Sequence, residues 1–134
     1  MAFGTACVLT NAGKAIIAGR LIGLTAPSQV EPHFQGIGTG ATGAARTAVA
    51  ADNALSTEVE TRVSTNAGTR VTTTVTNDTY QLIQTTTATA PRANDEAMLF
   101  DASSGGNSFM SATYAVFNLG TGDGIQNTWT LKST

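Results

Sequence analysis

The chain has 134 residues, enough for one domain that buries roughly two-thirds of the surface its unfolded form exposes. Charged residues make up only 12% and the net charge is -2, while 24 residues are threonine, 21 alanine and 14 glycine; a surface this neutral and small-grained argues against nucleic acid as a partner and for close packing on another protein. The single cysteine, Cys7, excludes an intrachain disulfide and any thiolate metal cage within one chain.

The opening run "MAFGTACVLTNAGKAIIAGRLIG" lacks a basic start, and Lys14 and Arg20 interrupt its apolar content. It reads neither as a signal peptide nor as a membrane span, so synthesis in the cytoplasm is expected. Residues 1–8 are expected to form an arm, with Cys7 as a small buried hydrophobe. "TNAGKAIIAGRLIGL" predicts a short helix: Thr10 or Asn11 caps it, Ile17 and Leu21 lie four apart with Ala18 and Ile22 beside them, and Gly23 takes the left-handed terminating position. Gly13 and Gly19 weaken this helix by roughly 0.8–1 kcal/mol each relative to Ala, so packing against a sheet has to stabilise it. "TAPSQVEPH", with two prolines, is an irregular connection.

"FQGIG" is a short strand and "TGATGAART" a loop in which glycines relieve the restriction on positive φ. Asp52 caps a helical turn before a strand that begins near Val59, where Val59, Thr61 and Val63 alternate with Glu60, Arg62 and Ser64. "NAG" at 66–68 is a hairpin turn, Val71, Thr73 and Val75 continue the alternation, "TNDT" turns again, and "YQLIQTTTATA" follows with Tyr80 and Leu82 on one face. Three locally joined strands would form a meander. Ala97 to Phe100 is a short apolar strand between two turns, Phe109 to Phe117 another, and the last sets Ile125, Trp129 and Leu131 on one side. Six or seven short strands with one N-terminal α-helix predict a mainly β domain, an antiparallel β-sandwich or a barrel-like closure, spanning 1–134.

The segment "HFQGIGTGATGAARTAVAADNAL" looks like a cofactor loop, because Gly36, Gly38, Gly40 and Gly43 crowd together. A dinucleotide fingerprint needs GxGxxG opening a long helix, and a phosphate loop needs GxxxxGK followed by Ser or Thr. Here more loop follows, so the glycines are read as a structural turn or a partner contact. His33 has no nucleophile motif to serve. Glu58 and Glu60 would share a strand face with Arg62, which is how a solvated strand presents alternating signs. Glu96 and Asp101 are expected to satisfy turn amides and pair with Arg92. Trp129, Tyr114, Phe117 and Phe100 are expected in the core. No catalytic residue, metal ligand or cofactor site is assigned.

The order "LTNAGKAIIAGRLIG", "PHFQGIGTGATGAART", "LSTEV", "RANDEAMLFDASSGG", "NTWTLKS" resembles a group of small tailed-bacteriophage virion proteins. The resemblance spans nearly the whole chain, although in the family pattern a glycine often follows the acidic residue where Glu96 is followed here by "AMLFDA". It implies a capsid decoration (cement) protein on the outer capsid surface, binding the major capsid protein and stabilising capsomer contacts. The alternatives are a small tail or fibre protein and an unrelated protein-binding module. A homo-oligomer, a trimer about a local threefold, is the expected state. The contacts would come from Phe3, Phe34, Ile37, Gly38, Thr39, Gly40 and Arg46, with 38–54 as a Gly/Ala-rich contact loop.

Overall fold

The computed structural model describes residues 7–23, 31–41 and 46–133. A two-residue strand β1 (Val8–Leu9) leads into helix α1 (Asn11–Leu21). Thr10 is the cap: its Oγ1 accepts from the Gly13 N–H over 2.9 Å and donates to the Ser108 carbonyl over 2.8 Å, tying the start of the helix to the sheet beneath. Gly23, at φ 72, ends the helix in the left-handed region, as expected.

The buried face of α1 differs from the expected one. Gly13, Ile16 and Gly19 face the sheet, whereas Leu21 and Ile22 are 82% and 74% exposed. A Cβ on Gly13 would stand 2.9 Å from Leu9 Cδ1 and collide with the Phe109 carbonyl oxygen. Gly13 therefore helps choose the face: it lets the helix approach the strand backbone more closely than a face centred on Leu21 would, with Ile17 at the border of that face, half-buried against the core.

The strands after α1 are β2 (Phe34–Gly38), β3 (Thr69–Val71), β4 (Thr79–Thr87), β5 (Arg92–Phe100), β6 (Ser108–Leu119) and β7 (Gly124–Lys132). They form two antiparallel sheets, β1-β6-β5-β2 and β3-β4-β7, which pack as a sandwich and do not close into a barrel. One cluster joins them: Ile37, Ala97, Leu99, Met110 and Ala112 from the first sheet meet Leu82 and Trp129 from the second, with Ile16 of the helix. At roughly 1.5–3 kcal/mol for each fully buried large apolar side chain, this cluster is the main attraction between the layers.

The expected meander is only half present. Residues 59–64 do not form a regular strand; Glu58 and Val63 make single bridges to Gly38 and Gln35, and Glu60 at φ 53 breaks the extended path between them. The strand expected through Val75 stops at Val71. Asp78 stops it: its carboxylate accepts the N–H groups of Thr73, Thr74 and Val75, so those amides are not available to a ladder. The neighbour of β4 on its other side is β7, paired from Thr79↔Lys132 to Thr87↔Gly124.

β5 is also longer than the expected Ala97 to Phe100, and Asn94 through Phe100 is buried throughout. Ala97 and Leu99 face the sandwich core, while Met98 and Phe100 pack in a second cluster with Leu55 and Phe34. A strand buried on both faces needs a third layer, and residues 46–63 supply it.

Candidate functional site

The glycines of the loop-like stretch have a geometric use. Along β2 and the residue pair after it, Gly36, Gly38 and Gly40 alternate with Gln35, Ile37 and Thr39, so all three glycines face the same way. Residues 55–58 lie against that face. A Cβ on Gly36 would stand 3.0 Å from both Glu58 Oε1 and Leu55 Cδ1, one on Gly38 would stand 2.7 Å from the Thr57 carbonyl oxygen, and one on Gly40 2.5 Å from Ser56 Cβ. Backbone bonds seal the contact: Thr39 N–H to Thr57 O over 3.0 Å, Val59 N–H to Ile37 O over 2.9 Å, and Gln35 and Val63 exchanging both of theirs at 2.8 and 2.9 Å. Positive φ is not the reason for these glycines, since among the described glycines that region is taken by Gly23, Gly105, Gly106 and Gly122. Close approach is. Gly43 lies outside the described residues.

Carboxylates from β5 hold the 46–63 layer down as a strap and fasten the residues just after β2. Glu96 is fully buried; its Oε1 accepts from Thr57 N–H at 3.0 Å and Gly40 N–H at 3.3 Å, and its Oε2 takes Arg46 Nη2 at 3.1 Å. Asp95 accepts from Ala41 N–H at 3.0 Å. Arg46 Nη1 also reaches Asp52 at 3.1 and 3.2 Å, and Asp52 in turn accepts from Val49 N–H and Ser111 Oγ at 3.0 and 2.9 Å. Burial pushes the Glu96 carboxyl up, but the Thr57, Ser56 and Gly40 amides and the Arg46 guanidinium outweigh it and hold the group below its ordinary range. For Asp52 burial is likewise outweighed, by Val49 N–H, Ser111 and Arg46.

The expected pairings of Glu96 and Arg92 are corrected by this arrangement. Glu96 sits inside β5 rather than at a turn, and its cation is Arg46; Arg92 Nε pairs with Glu60 over 2.8 Å. Asp101 does satisfy a turn, accepting from Asn107 N–H at 2.7 Å and Asn107 Nδ2 at 2.9 Å. Nor do Glu58, Glu60 and Arg62 line one solvated face. Arg62 folds back over the Phe100 ring, its guanidinium carbon 3.4 Å from the centroid, bonds Glu58 at 2.7 and 3.1 Å, and donates to the carbonyls of Ala102 and Gly105. Glu60 turns away to Arg92 and Thr89.

Of the candidate contact residues, Ile37 and Gly38 are buried, Phe34, Thr39, Gly40 and Arg46 are half-buried, and Phe3 lies outside the described residues, as do residues 1–6 of the arm and 42–45 of the contact loop. His33 stacks on Phe34 at 4.7 Å, with Nδ1 3.7 Å from Glu31. Cys7 is half-buried, and desolvation raises its thiol pKa. Trp129 and Phe100 are core residues; Tyr114 and Phe117 form an edge-to-face pair on the outer half of β6. Among the described residues no group of three His, Cys, Asp or Glu side chains has the geometry to hold a metal ion.

Outward, the second sheet presents Thr69, Gln81, Ile83, Thr85, Thr128 and Thr130, a face without a charge until Lys132 at its end. A shallow groove of about 390 Å³ lies at one side of it, where Thr65, Asn66, Ala67 and Thr69 meet Gln81 and Ile83 of β4. Asp52, which ties the strap to Ser111, Thr113, which accepts from Ala48 N–H of the strap, and Asp95, which accepts from Ala41 N–H, were not among the candidates; only the period-two glycines at 36, 38 and 40 carried a sequence signal that a chain segment would lie there. No family model, curated protein or solved structure matches the chain.

Proposed function

We propose that the chain is an assembly subunit, a capsid decoration protein of a tailed bacteriophage that binds the outer shell as a homo-oligomer. The observation that carries this reading is how the charge is distributed. Arg46, Arg62 and Arg92 are all committed to internal ion pairs with Asp52, Glu96, Glu58 and Glu60, and the outward face of β4 and β7 is threonine and glutamine around Ile83, with Lys132 as its one charge, at the end of β7. Such a face meets another protein without stripping water from charges. The bacteriophage placement comes from the motif order described above. A cement role needs contact area more than a reactive centre, since repetition around symmetry axes multiplies a modest contact into a strong one.

The test is counting. Quantitative mass spectrometry of separated heads and tails is expected to find the chain on heads in hundreds of copies. A few dozen or fewer, on tails, would give the tail or fibre reading instead, and absence from both would overturn the proposal.

A further inference from the structure

The outer edge of β7 has no strand partner among the described residues. Two bonds set the parity of the β4–β7 ladder: Ser133 N–H to Asp78 O at 2.9 Å and Ala88 N–H to Asp123 O at 2.8 Å. Odd-numbered residues of β7 therefore bond to β4, and Gly124, Gln126, Thr128, Thr130 and Lys132 turn their N–H and C=O groups outward. The one described contact there is the weak donor Cys7 Sγ, 3.9 Å from the Thr130 carbonyl oxygen, which leaves that oxygen a lone pair.

Native edges are normally blunted by shortness, charge, proline, bulges or a covering segment. In this fold β1 has two residues, β3 has three and carries Arg70, and the edge of β2 is taken by Thr57, Val59 and Val63. β7 has nine residues with an unbroken register, no proline, and no charge before Lys132.

We infer that the β7 edge pairs antiparallel with β7 of a second copy of this chain, joining two three-stranded sheets into one of six strands about a twofold axis at Thr128. The strand is self-complementary in this register. The outward groups at 124, 126, 128, 130 and 132 are symmetric about Thr128, so all nine residues pair, whereas centring on Asn127 or Trp129 would pair only seven. Thr128 faces Thr128 of the second copy, Gln126 faces Thr130, and Ile125 faces Leu131. Lys132 comes opposite Gly124, and the two Lys132 residues stand about 27 Å apart, eight residues at ~3.4 Å each, so no like charges meet. The inference rests on reading the chain as an assembly subunit, but it specifies a twofold in place of the expected threefold.

Native mass measurement and sedimentation of the full chain across concentration test it. The wild type is expected to form a dimer. Thr128→Pro removes an outward N–H that β4 does not use, which an edge strand tolerates, and should weaken the dimer by at least about tenfold, as each copy loses a bond across the axis. Thr128→Lys keeps the whole backbone, sets like charges face to face and should weaken it as well, while Thr85→Lys, on β4 of the same face, should leave it intact. Hydrogen exchange on the wild type needs no variant: the even-numbered amides of β7 should lose protection on dilution. A wild type that is monomeric at millimolar concentration, a trimer, or an oligomer indifferent to both Thr128 variants would overturn the inference. Head and tail counting is independent of all these outcomes, so the two readings fail separately.

Discussion

The indole N–H of Trp129 donates to Oε1 of Gln35 over 2.8 Å, and that bond crosses from β7 in one sheet to β2 in the other. Gln35 Nε2 completes the crossing with a 2.9 Å bond to Thr86 Oγ1 on β4, and all three residues are buried. A satisfied polar bridge in an apolar interior fixes how the two sheets register on each other. Trp129→Phe leaves Gln35 Oε1 without its donor and opens a small void, and should cost roughly 2–4 kcal/mol in urea unfolding. A double-mutant cycle with Gln35→Leu should show coupling of about 1 kcal/mol; circular dichroism is the probe, because Trp129 is the only tryptophan.

Gly38 has no room for a side chain between Glu96 and Thr57. Gly38→Val should push residues 55–58 off the first sheet, exposing Met98 and Phe100 to solvent. The expected result is a loss of about 3 kcal/mol or more together with new binding of a hydrophobic dye. Ser56→Ala should change stability far less. Equal stability of the two variants would contradict the strap arrangement.

Acid should release the strap before it unfolds the sandwich. Glu96 and Asp52 both have folded pKa values below their ordinary ones of 4.5 and 3.8. Their stabilising contribution is therefore fully present above those ordinary values and is lost as pH falls through the depressed ones. Glu96→Gln should be less stable near neutral pH and should show a flatter decline in stability below pH ~4.5. Hydrogen exchange at Gly40 and Thr57, whose amides Glu96 accepts, should report the release residue by residue.

At the alkaline end, both tyrosines of the chain resist ionisation. Burial raises Tyr80, reinforced by the Glu31 carboxylate that accepts from its hydroxyl; burial raises Tyr114 against the lowering effect of Asn94. A group whose folded pKa is raised contributes stability that is present below its ordinary value, here 10, and is lost as pH climbs through the folded one. Phenolate absorbance should therefore not develop in the ordinary range while the protein is folded, and should rise sharply where it unfolds.

Arg62 joins the strap to the loop after β5 through Glu58, the Phe100 ring and the carbonyls of Ala102 and Gly105. Arg62→Ala should cost roughly 2–4 kcal/mol. Arg62→Lys should recover less than half of that, because an ammonium cannot bond two carboxylate oxygens and two carbonyls while lying flat on a ring.

What the sequence by itself determined was whatever depends on neighbours in the chain. Period-two alternation located the strands around Leu82, Met110 and Trp129, Thr10 and Gly23 bounded the helix, and the pattern of short strands with one helix led to the mainly β sandwich. Tertiary structure decided where distant segments compete for the same groups. Val59 to Val63 alternates like a strand, yet Glu60 finds Arg92 and Thr89 and Arg62 finds Phe100, and those contacts bend the segment out of regular pairing. Asp78 withdrew three amides from the ladder expected beyond Val71. The helix turned Gly13 and Gly19 inward beside Ile16 and left Leu21 and Ile22 outside, because the Phe109 backbone across the interface leaves no room for a side chain at position 13. Glu96 shows the same limit: a carboxylate in an apolar strand reads as a turn residue until Arg46 and the amides of Gly40 and Thr57, 39 to 56 positions away, are brought to it. Local propensity is set by a few adjacent dihedrals and side chains, whereas a buried charge is permitted only by partners that the fold itself assembles.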